Sequence, residues 1–403
     1  MRDDPHGLRL SRRRSRTGVH RRTRRAQRGQ SAYEYSMIIA CIGMVVLATV
    51  TALGRQTNTG FCGAGKGVGG SICGSYTSYT PTASTSQPDS ILMGPDNNIW
   101  ISEGAISPAG DKIAKISLSG KLIAEYTVPT ASSDPGGMCI GPDNNIWFGE
   151  WANSGLPTPP GVPVGKVGRV TVATGHIDEF QLSNPNAGPS GCVAGPDGAV
   201  WFTEHFTGKI EAFAPATFPA PASLIHSFTI PNGCPDSPIV GKDHASIWYA
   251  DAGCGQGGVS EAGVGAITLG GGLIGQYLAS PTSMGMRSAH GQGIVLGTDG
   301  YYWFCELMAD KFGRVNPSNG HIDEYDPAAG AFPEQLVVAR DGNLYASMFW
   351  GGAVNKIVTN GAGAPTITAL ANPNGDATAG LAVGIDSNIW YTGGSAGTVG
   401  KLY

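Results

Sequence analysis

The sequence predicts an all-β protein, a seven-bladed β-propeller of four-stranded blades, and three observations predict it. The 403 residues include 62 glycines and 27 prolines with 14% charged residues, a composition typical of short strands joined by many turns. One segment recurs seven times at intervals of 42 to 56 residues. The last repeat lacks a fourth strand, and a segment ahead of the first repeat can supply it.

Each repeat has an apolar strand, a turn that contains aspartate, and a second strand with an aromatic residue. Asp or Asn with Gly in such a turn is typical of a β-hairpin, because these residues tolerate a positive φ. A third and a fourth strand follow, as at 311–315 and 321–325. The recurring aromatic is expected to pack between blades as a structural residue. The pairs are Asp96 and Trp100, Asp143 and Trp147, Asp197 and Trp201, Asp243 and Trp248, Asp299 and Trp303, Asp341 and Tyr345, and Asp386 and Trp390.

Ring closure is predicted from the two ends of the repeat array. The seventh repeat stops at its third strand, with Tyr403 the last residue. Residues 75–82 resemble the fourth strand of the first repeat, residues 124–130. We therefore expect residues 75–82 to pair with the last repeat, which removes the exposed edge that an open array would leave.

Charge is distributed unevenly along the chain. Residues 1–29 contain 11 of the 26 basic and 2 of the 30 acidic residues, so the remainder carries a net charge of −13. Phosphate binding needs a basic surface, and such an acidic body therefore excludes nucleic acid as a partner. It suits cations or cationic ligands instead.

An uncharged run, residues 37–53, follows the basic leader 1–29. A helix over this run spans about 25 Å at 1.5 Å per residue, which is just enough for a bilayer core. Arginines ahead of the run are expected to keep the leader in the cytoplasm and to place the rest outside. A Gly- and Ser-rich segment, residues 59–74, then predicts a flexible tether between helix 30–58 and propeller 75–403.

The region around residues 21–58 resembles the Flp-type (type IVb) prepilins, because Gly29 is followed by Glu34 and Tyr35 at the fifth and sixth positions. The resemblance implies cleavage after Gly29 by a prepilin peptidase and contact with pilus or secretion machinery. It also implies that Glu34 pairs with the N-terminal amine of a neighbouring subunit, since an unpaired carboxylate in an apolar helix is costly. A plain membrane anchor or a secretory signal is the alternative. Either reading predicts a location in the cell envelope, with the propeller outside the cytoplasm, pilus-associated or secreted.

The eight cysteines do not match a paired Cys-x-x-Cys zinc pattern. Cys62 and Cys73 flank a glycine-rich stretch, and Cys234 and Cys254 bracket two strands, so two disulfides are plausible in an exported domain with their connectivity open. Three others lie within strand patterns and are expected to be small buried apolar residues. These are Cys139, Cys192 and Cys305.

Carboxylates end the second strand of five consecutive repeats. In a four-stranded blade that end lies on the same face as the start of the first strand, near the central channel. A negative rim of this kind could bind a divalent cation or a cationic ligand, since clustered oxygens favour hard cations. A solubilising, turn-capping pattern carried by the repeat is the alternative. The predicted ligand-binding face comprises Glu103, Glu150, Glu204, His205 next to it, Asp251 and Glu306.

The blade pattern resembles the streptogramin B (virginiamycin B) lyase family over about residues 87–403. It reads Gly-x-Asp-x-x-Ile-Trp-Phe-x-Glu, with Gly-Lys-Ile-Gly-Arg-like third strands and Ile-x-Glu-Tyr-like fourth strands. The resemblance implies Mg²⁺-assisted elimination that opens a cyclic depsipeptide. In such a reaction a base removes a proton α to a carbonyl while the metal stabilises the enolate. In that family a Glu-Pro-His-Gly segment supplies a metal ligand and the base, and a second Glu ends the following strand.

The nearest match to that segment is 288–291, with Ser288 in place of the first metal ligand. The resemblance makes His290 the candidate base and Glu306 a candidate Mg²⁺ ligand, while Ser288 weakens the expectation of a metal. Two functions therefore stay open. One is a surface-displayed module that binds an unidentified extracellular ligand, and the other is an anchored Mg²⁺-dependent carbon–oxygen lyase.

Overall fold

The computed structural model describes most of the predicted propeller. The described residues are 74–80, 87–104, 111–151, 165–215, 222–252, 263–279, 293–329, 331–350, 352–372, 378–393 and 397–403. The predicted leader and helix lie outside them, with Gly29, Glu34 and Tyr35, and so do residues 59–73 of the predicted tether. No helix within the described ranges is long and apolar enough to cross a membrane.

Seven antiparallel sheets of four strands make up the described fold, which confirms the predicted seven-bladed propeller. Blade 1 has β2 (Gln87–Met93), β3 (Ile99–Gly104), β4 (Lys112–Ile116) and β5 (Leu122–Thr127). Blade 2 has β6 (Pro135–Ile140), β7 (Ile146–Glu150), β8 (Lys166–Val170) and β9 (Ile177–Gln181). Blade 3 has β10 (Pro189–Ala194), β11 (Val200–Glu204), β12 (Lys209–Ala214) and β13 (Ser223–Thr229). Blade 4 has β14 (Pro235–Val240), β15 (Ser246–Asp251), β16 (Gly263–Thr268) and β17 (Leu273–Leu278).

The remaining blades follow the same order. Blade 5 has β18 (Ile294–Leu296), β19 (Tyr302–Glu306), a 3₁₀ turn (Leu307–Ala309), β20 (Lys311–Val315) and β21 (Ile322–Tyr325). Blade 6 has β22 (Ala331–Val338), β23 (Leu344–Trp350), β24 (Ala353–Asn360) and β25 (Gly363–Ala371). Blade 7 has β26 (Thr378–Val383), β27 (Ile389–Gly393), β28 (Thr398–Leu402) and, as its fourth strand, β1 (Tyr76–Tyr79).

Strand β1 closes the ring, as the sequence predicts. It pairs antiparallel with β28, with Tyr76 opposite Leu402 and Tyr79 opposite Val399. The Tyr79 ring lies 5.8 Å from the Trp390 ring and is stacked on it. In blades 1 and 5 a tyrosine of the fourth strand stacks on the tryptophan of the same blade in the same way. Within residues 74–403 the described part of the chain supplies all four strands of each of the seven sheets and the seven hydrophobic clusters. We therefore expect the fragment 74–403 to fold on its own.

The turn aspartate of each repeat contacts side chains of the following strands of its blade. In blade 2 the indole N–H of Trp147 donates to Asp143 at 3.0 Å, and Arg169 of the third strand reaches the same carboxylate at 3.6 Å. The equivalent tryptophan or tyrosine donates to its aspartate in blades 1, 3, 5, 6 and 7. In blade 4 the inserted residue changes this contact, and Asp243 accepts from Ser246 instead. The buried aromatics are therefore structural, as predicted.

The cysteine prediction is wrong for two residues. Cys139 and Cys192 are joined in a disulfide between the first strands of blades 2 and 3, which are neighbours around the channel. Cys234 is disulfide-bonded as well, and Cys305 is a buried free cysteine, as expected. The first strand of blade 2 has a bulge between Gly136 and Cys139. The bulge changes the position of Cys139 relative to the repeat, so the repeat pattern does not show that it meets Cys192.

Removing the inter-blade disulfide is expected to lower the free energy of unfolding by about 3 kcal/mol, because the bond closes a long loop in the unfolded chain. The double variant Cys139→Ala/Cys192→Ala of the fragment 74–403 should show this in urea unfolding. Cys305→Ala is the matched control, since it removes a buried thiol that is in no disulfide. An equal loss in both variants would contradict a cross-linking role.

Candidate functional site

The ring has two faces that the strand order defines. On the upper face the first strand of each blade begins and the second strand ends, and on the lower face lie the aspartate turns. A central cavity of about 410 Å³ is lined by the first strands of all seven blades. Its lining is apolar apart from Ser90, Ser237, Gln335 and backbone groups, and it includes none of the predicted site residues.

The five predicted carboxylates do lie at the upper ends of the second strands, but they do not form an exposed rim. Each is 3% exposed or less. Four of the strand-ending carboxylates stand opposite a lysine that opens the third strand of the same blade. These pairs are Glu103 with Lys112, Glu150 with Lys166, Glu204 with Lys209, and Glu306 with Lys311.

Glu150 shows how these carboxylates are held. Lys166 forms its ion pair with Glu179 of the fourth strand, with 2.8 Å between Nζ and Oε2. Glu179 also accepts from the backbone N–H and the hydroxyl of Thr130 at 2.7 and 2.9 Å. Burial, and then the charge of Glu179, raises the pKa of Glu150 to about 8, although Lys166 opposes the shift. Glu150 is therefore mostly protonated at neutral pH.

Glu204 and Glu306 have similar surroundings. Burial raises the pKa of Glu204 to about 8, and the Thr207 hydroxyl donates to its carboxylate. Burial and Glu324 raise the pKa of Glu306 to about 7. Among the described residues neither carboxylate oxygen of Glu306 has a hydrogen-bond partner. Asp251 is held differently, because its Oδ1 accepts the backbone N–H of Cys234 at 2.9 Å.

His205 belongs to a cluster built from three neighbouring blades. Its Nδ1 lies 3.1 Å from Oδ2 and 3.2 Å from Oδ1 of Asp236, which is fully buried near the start of β14. The ring centroid of Trp151, which follows the second strand of blade 2, is 5.3 Å from that of His205 and 4.9 Å from that of Phe206. A carboxylate, an imidazole and two aromatic rings therefore meet on the upper face.

Exposed aromatic side chains on the described surface lie on the upper face. Phe206 is 52% exposed and Trp350, at the upper end of β23, is 62% exposed. Phe332 packs edge-on against Trp350, with their ring centroids 4.9 Å apart. Exposed aliphatic residues such as Ile123 and Leu273 lie on the outer, fourth strands instead.

The match to the lyase motif is only partly described. Ser288 and His290 lie outside the described residues. Glu306 is the one matched carboxylate that the structure places, and no group of three His, Cys, Asp or Glu side chains in the described ranges could hold a metal. With a pKa near 7 and Lys311 opposite, Glu306 does not make an Mg²⁺ site with the other described residues.

Sequence reasoning missed Asp236, Trp151 and Phe206. Asp236 follows a proline at the start of a first strand, where Asp89 and Glu334 also stand in other blades. That recurring carboxylate is a signal that could have pointed to it. No sequence signal shows that Trp151 and His205, from different blades, come together.

Comparisons with known proteins agree with the repeat pattern. The sequence model described as "Virginiamycin B lyase family" matches residues 67–256 and 226–403. A catalytically inactive histidine-to-alanine variant of virginiamycin B lyase from Staphylococcus aureus, with Quinupristin, superposes with a TM-score of 0.65 at 24% identity, covering 81% of this chain and 98% of that one. A streptogramin B lyase structure gives a TM-score of 0.64 at 24% identity over 82% and 97% of the two chains.

A more distant structure shows how widely the fold occurs. Hydrazine synthase from Kuenenia stuttgartiensis gives a TM-score of 0.59 at 14% identity, over 81% of this chain and 96% of that one. Comparison with curated protein sequences gives no match. The solved structures therefore support the seven-bladed fold alone.

Proposed function

This chain belongs to the Virginiamycin B lyase family, and from that premise we propose that it is an exported propeller that binds its ligand on the upper face. The observation that carries the proposal is the placement of exposed aromatic residues there, Phe206 and Trp350. Exposed aromatic surface beside polar groups is typical of binding sites, because a ring offers a large contact area at a low cost in entropy.

Export is supported by the disulfide bonds. Cys139–Cys192 and the bonded Cys234 fit an oxidising compartment, since such bonds are rare in the cytoplasm. The prepilin-like residues Gly29, Glu34 and Tyr35 support a membrane- or pilus-anchored form processed by a prepilin peptidase. The acidic body, with a net charge of −13 after residue 29, supports an extracellular ligand that is not a nucleic acid.

A carbon–oxygen lyase is the second candidate function, favoured by Glu306. This residue stands at the position that the family pattern gives to a metal ligand, and both its buried carboxylate oxygens lack a hydrogen-bond partner among the described residues. The described donors do not fit Mg²⁺ by themselves, so no step is assigned to a metal. The candidate reaction is an elimination that opens a cyclic ester.

Quinupristin is the probe that tests the binding proposal and the lyase candidate together. We expect it to bind the fragment 74–403 in a calorimetric titration, and we expect Phe206→Ala to weaken binding about tenfold, because loss of an aromatic anchor removes buried apolar area. Chromatography of the same mixture, with and without Mg²⁺, follows ring opening. An elimination leaves the mass unchanged, so retention time has to be recorded with mass.

The matched control is Ile123→Ala, which removes a side chain 50% exposed on an outer strand. It should leave binding unchanged. Equal weakening by Phe206→Ala and Ile123→Ala would contradict a site on the upper face. Binding of quinupristin without ring opening would support the ligand-binding function and would reject a lyase activity toward this compound.

A further inference from the structure

Arg314 of blade 5 is a buried cation that binds the neighbouring blade. It stands opposite Trp303 in the sheet, and its Nε donates to Asp323 at 3.0 Å. The turn carboxylate, Asp299, lies 3.8 Å from its Nη1. Both Nη atoms donate to backbone carbonyls in the turn between β24 and β25 of the next blade, at 2.8 to 3.1 Å. These carbonyls belong to Gly361, Ala362 and Gly363. A guanidinium already balanced by two carboxylates therefore completes its hydrogen bonds with neutral peptide oxygens.

Blade 7 has a contact of the same kind across the closure of the ring. Lys401 stands opposite Trp390 in its sheet, and its Nζ lies 3.4 Å from the turn carboxylate, Asp386. The same Nζ donates to the carbonyl of Leu118 at 3.1 Å. Leu118 lies in the turn between β4 and β5 of blade 1, which is the next blade in the ring. The cation of a third strand thus binds peptide carbonyls in two separate blades.

Arg169 has the same position in blade 2, opposite Trp147, but it lacks carbonyl partners of this kind among the described residues. It is 7% exposed, and its Nη2 donates to Asp178 at 2.6 Å. The turn carboxylate, Asp143, lies 3.6 Å from Nη1, and Nε has no hydrogen-bond partner in the described ranges. A guanidinium has five N–H donors, and buried donors without acceptors are costly. Arg169 can therefore donate to further acceptors.

A cavity of about 960 Å³ lies beside Arg169 on the lower face, between blades 2 and 3. Its volume is in the range of small-ligand sites. Blade 3 contributes Gly198 and Pro215 to the described lining, and blade 2 contributes Arg169 with polar side chains such as Thr171 and His176. The cavity thus combines a buried hydrogen-bond donor with polar and apolar surface.

The charges around this cavity favour a neutral ligand. Arginine commonly binds carboxylates and phosphates, but here Asp143 and Asp178 line the cavity as well and would repel an anion. A cation would be repelled by the guanidinium. A neutral carbonyl oxygen, of the kind that Arg314 binds, accepts a hydrogen bond without adding a charge.

We propose that the cavity beside Arg169 is a second binding site, which takes an uncharged peptide segment whose backbone carbonyls accept hydrogen bonds from the guanidinium. A tight turn is the form of peptide that suits the site, because three successive carbonyls of such a turn meet Arg314 in blade 5. The site lies on the lower face, so it is independent of the ligand proposed for the upper face.

A synthetic peptide of residues 358–366, capped at both ends, is the probe. It contains the turn that Arg314 binds and has no charged residue. The full chain is kept in detergent and labelled with ¹⁵N-arginine, and Arg169→Lys identifies the Nε–H signal of Arg169 by its loss. We expect the peptide to shift this signal with a dissociation constant of about 1 mM, and to leave the Arg314 signal in place.

The affinity of each variant is measured by NMR observation of the peptide. Arg169→Lys should weaken binding at least about tenfold, because lysine keeps the charge and lacks the planar set of donors. Arg340→Lys is the matched control and should bind the peptide normally, since Arg340 is exposed in the aspartate turn of blade 6 and does not line the cavity. Thermal unfolding verifies the fold of each variant.

Gly198→Asn provides a second test that leaves Arg169 intact. Gly198 has a φ of 79°, and a Cβ atom there would meet no other atom within 4 Å. Asn97 and Asn144 have the same turn position and a positive φ in blades 1 and 2, so asparagine suits this backbone. We expect the added side chain to narrow the cavity and to weaken peptide binding about tenfold. Gly342→Asn makes the same change in blade 6 and should not affect binding.

An unmoved Arg169 signal at about ten times the expected dissociation constant would overturn the proposal. Undiminished binding by folded Arg169→Lys, or by Gly198→Asn, would overturn it as well. Tighter binding of acetate than of the peptide would identify an anion site and would reject the peptide assignment. Quinupristin binding on the upper face is measured separately, so failure of one site is distinguishable from failure of the other.

Discussion

Removal of residues 74–80 is expected to lower the free energy of unfolding by about 5 kcal/mol, because the last blade loses its fourth strand. Tyr76 and Tyr79 leave their partly buried positions, and the stacking of Tyr79 on Trp390 is lost. The hydroxyl of Tyr76 also donates to the carbonyl of Leu370 in blade 6, so the deletion removes a contact between blades. Urea unfolding of fragments 74–403 and 81–403 measures the difference.

The exposed edge of β28 should also make the shortened fragment associate, which size-exclusion chromatography detects. A synthetic peptide of residues 74–80 is expected to restore both the stability and the monomeric state. The same peptide with Tyr79→Ser is the control, since it keeps the backbone pairing and lacks the ring. Unchanged unfolding of fragment 81–403 would show that blade 7 does not depend on β1.

Glu150→Gln is expected to stabilise the propeller by about 4 kcal/mol at pH 9 and to change little at pH 5. The pKa of Glu150 is raised from 4.5 to about 8, so between these values the folded state keeps a proton that the unfolded state has lost. This contribution to stability is complete below pH 4.5 and is lost as the pH rises through 8. Glutamine stays neutral and avoids the loss.

Urea unfolding at pH 5, 7 and 9 tests the sign of this effect. Glu125→Gln is the matched control, because Glu125 is a partly exposed carboxylate that forms an ion pair with Lys112 at 3.0 Å. Its removal should cost about 1 kcal/mol or less, without a gain at high pH. Lower stability of Glu150→Gln at pH 9 would contradict burial of an ionisable carboxyl as the cause.

Much of the fold could be predicted because the same sequence pattern recurs in every blade, so that a weak signal in one repeat is supported by the others. The seven aspartate–aromatic pairs give the number of blades, and the absence of a fourth strand before Tyr403 identifies β1. The Cys139–Cys192 bond could not be predicted in the same way. Bulges shift the register of the first strands, so residues that meet across two blades do not occupy identical positions in the repeat.

The candidate site could be predicted in part. The strand-end position of Glu150 and its equivalents follows from the repeat, but their burial depends on contacts with lysines and outer-strand carboxylates that the pattern does not show. The sequence points to His205 because this residue follows Glu204. Its partner Asp236 is 31 residues away in another blade, and only the three-dimensional arrangement brings the two together.

The direction of β1 has a mechanical consequence. The chain enters the ring through Gly74 and Ser75 on the lower face, where the Gly74 N–H donates to Tyr403 at 2.9 Å and the Tyr403 N–H donates to Ser75 at 2.8 Å. A ligand held on the upper face and a pull on the chain at Gly74 would load β1 along its length. The pairs from Tyr76–Leu402 to Tyr79–Val399 would then resist in shear together, instead of being peeled apart one by one.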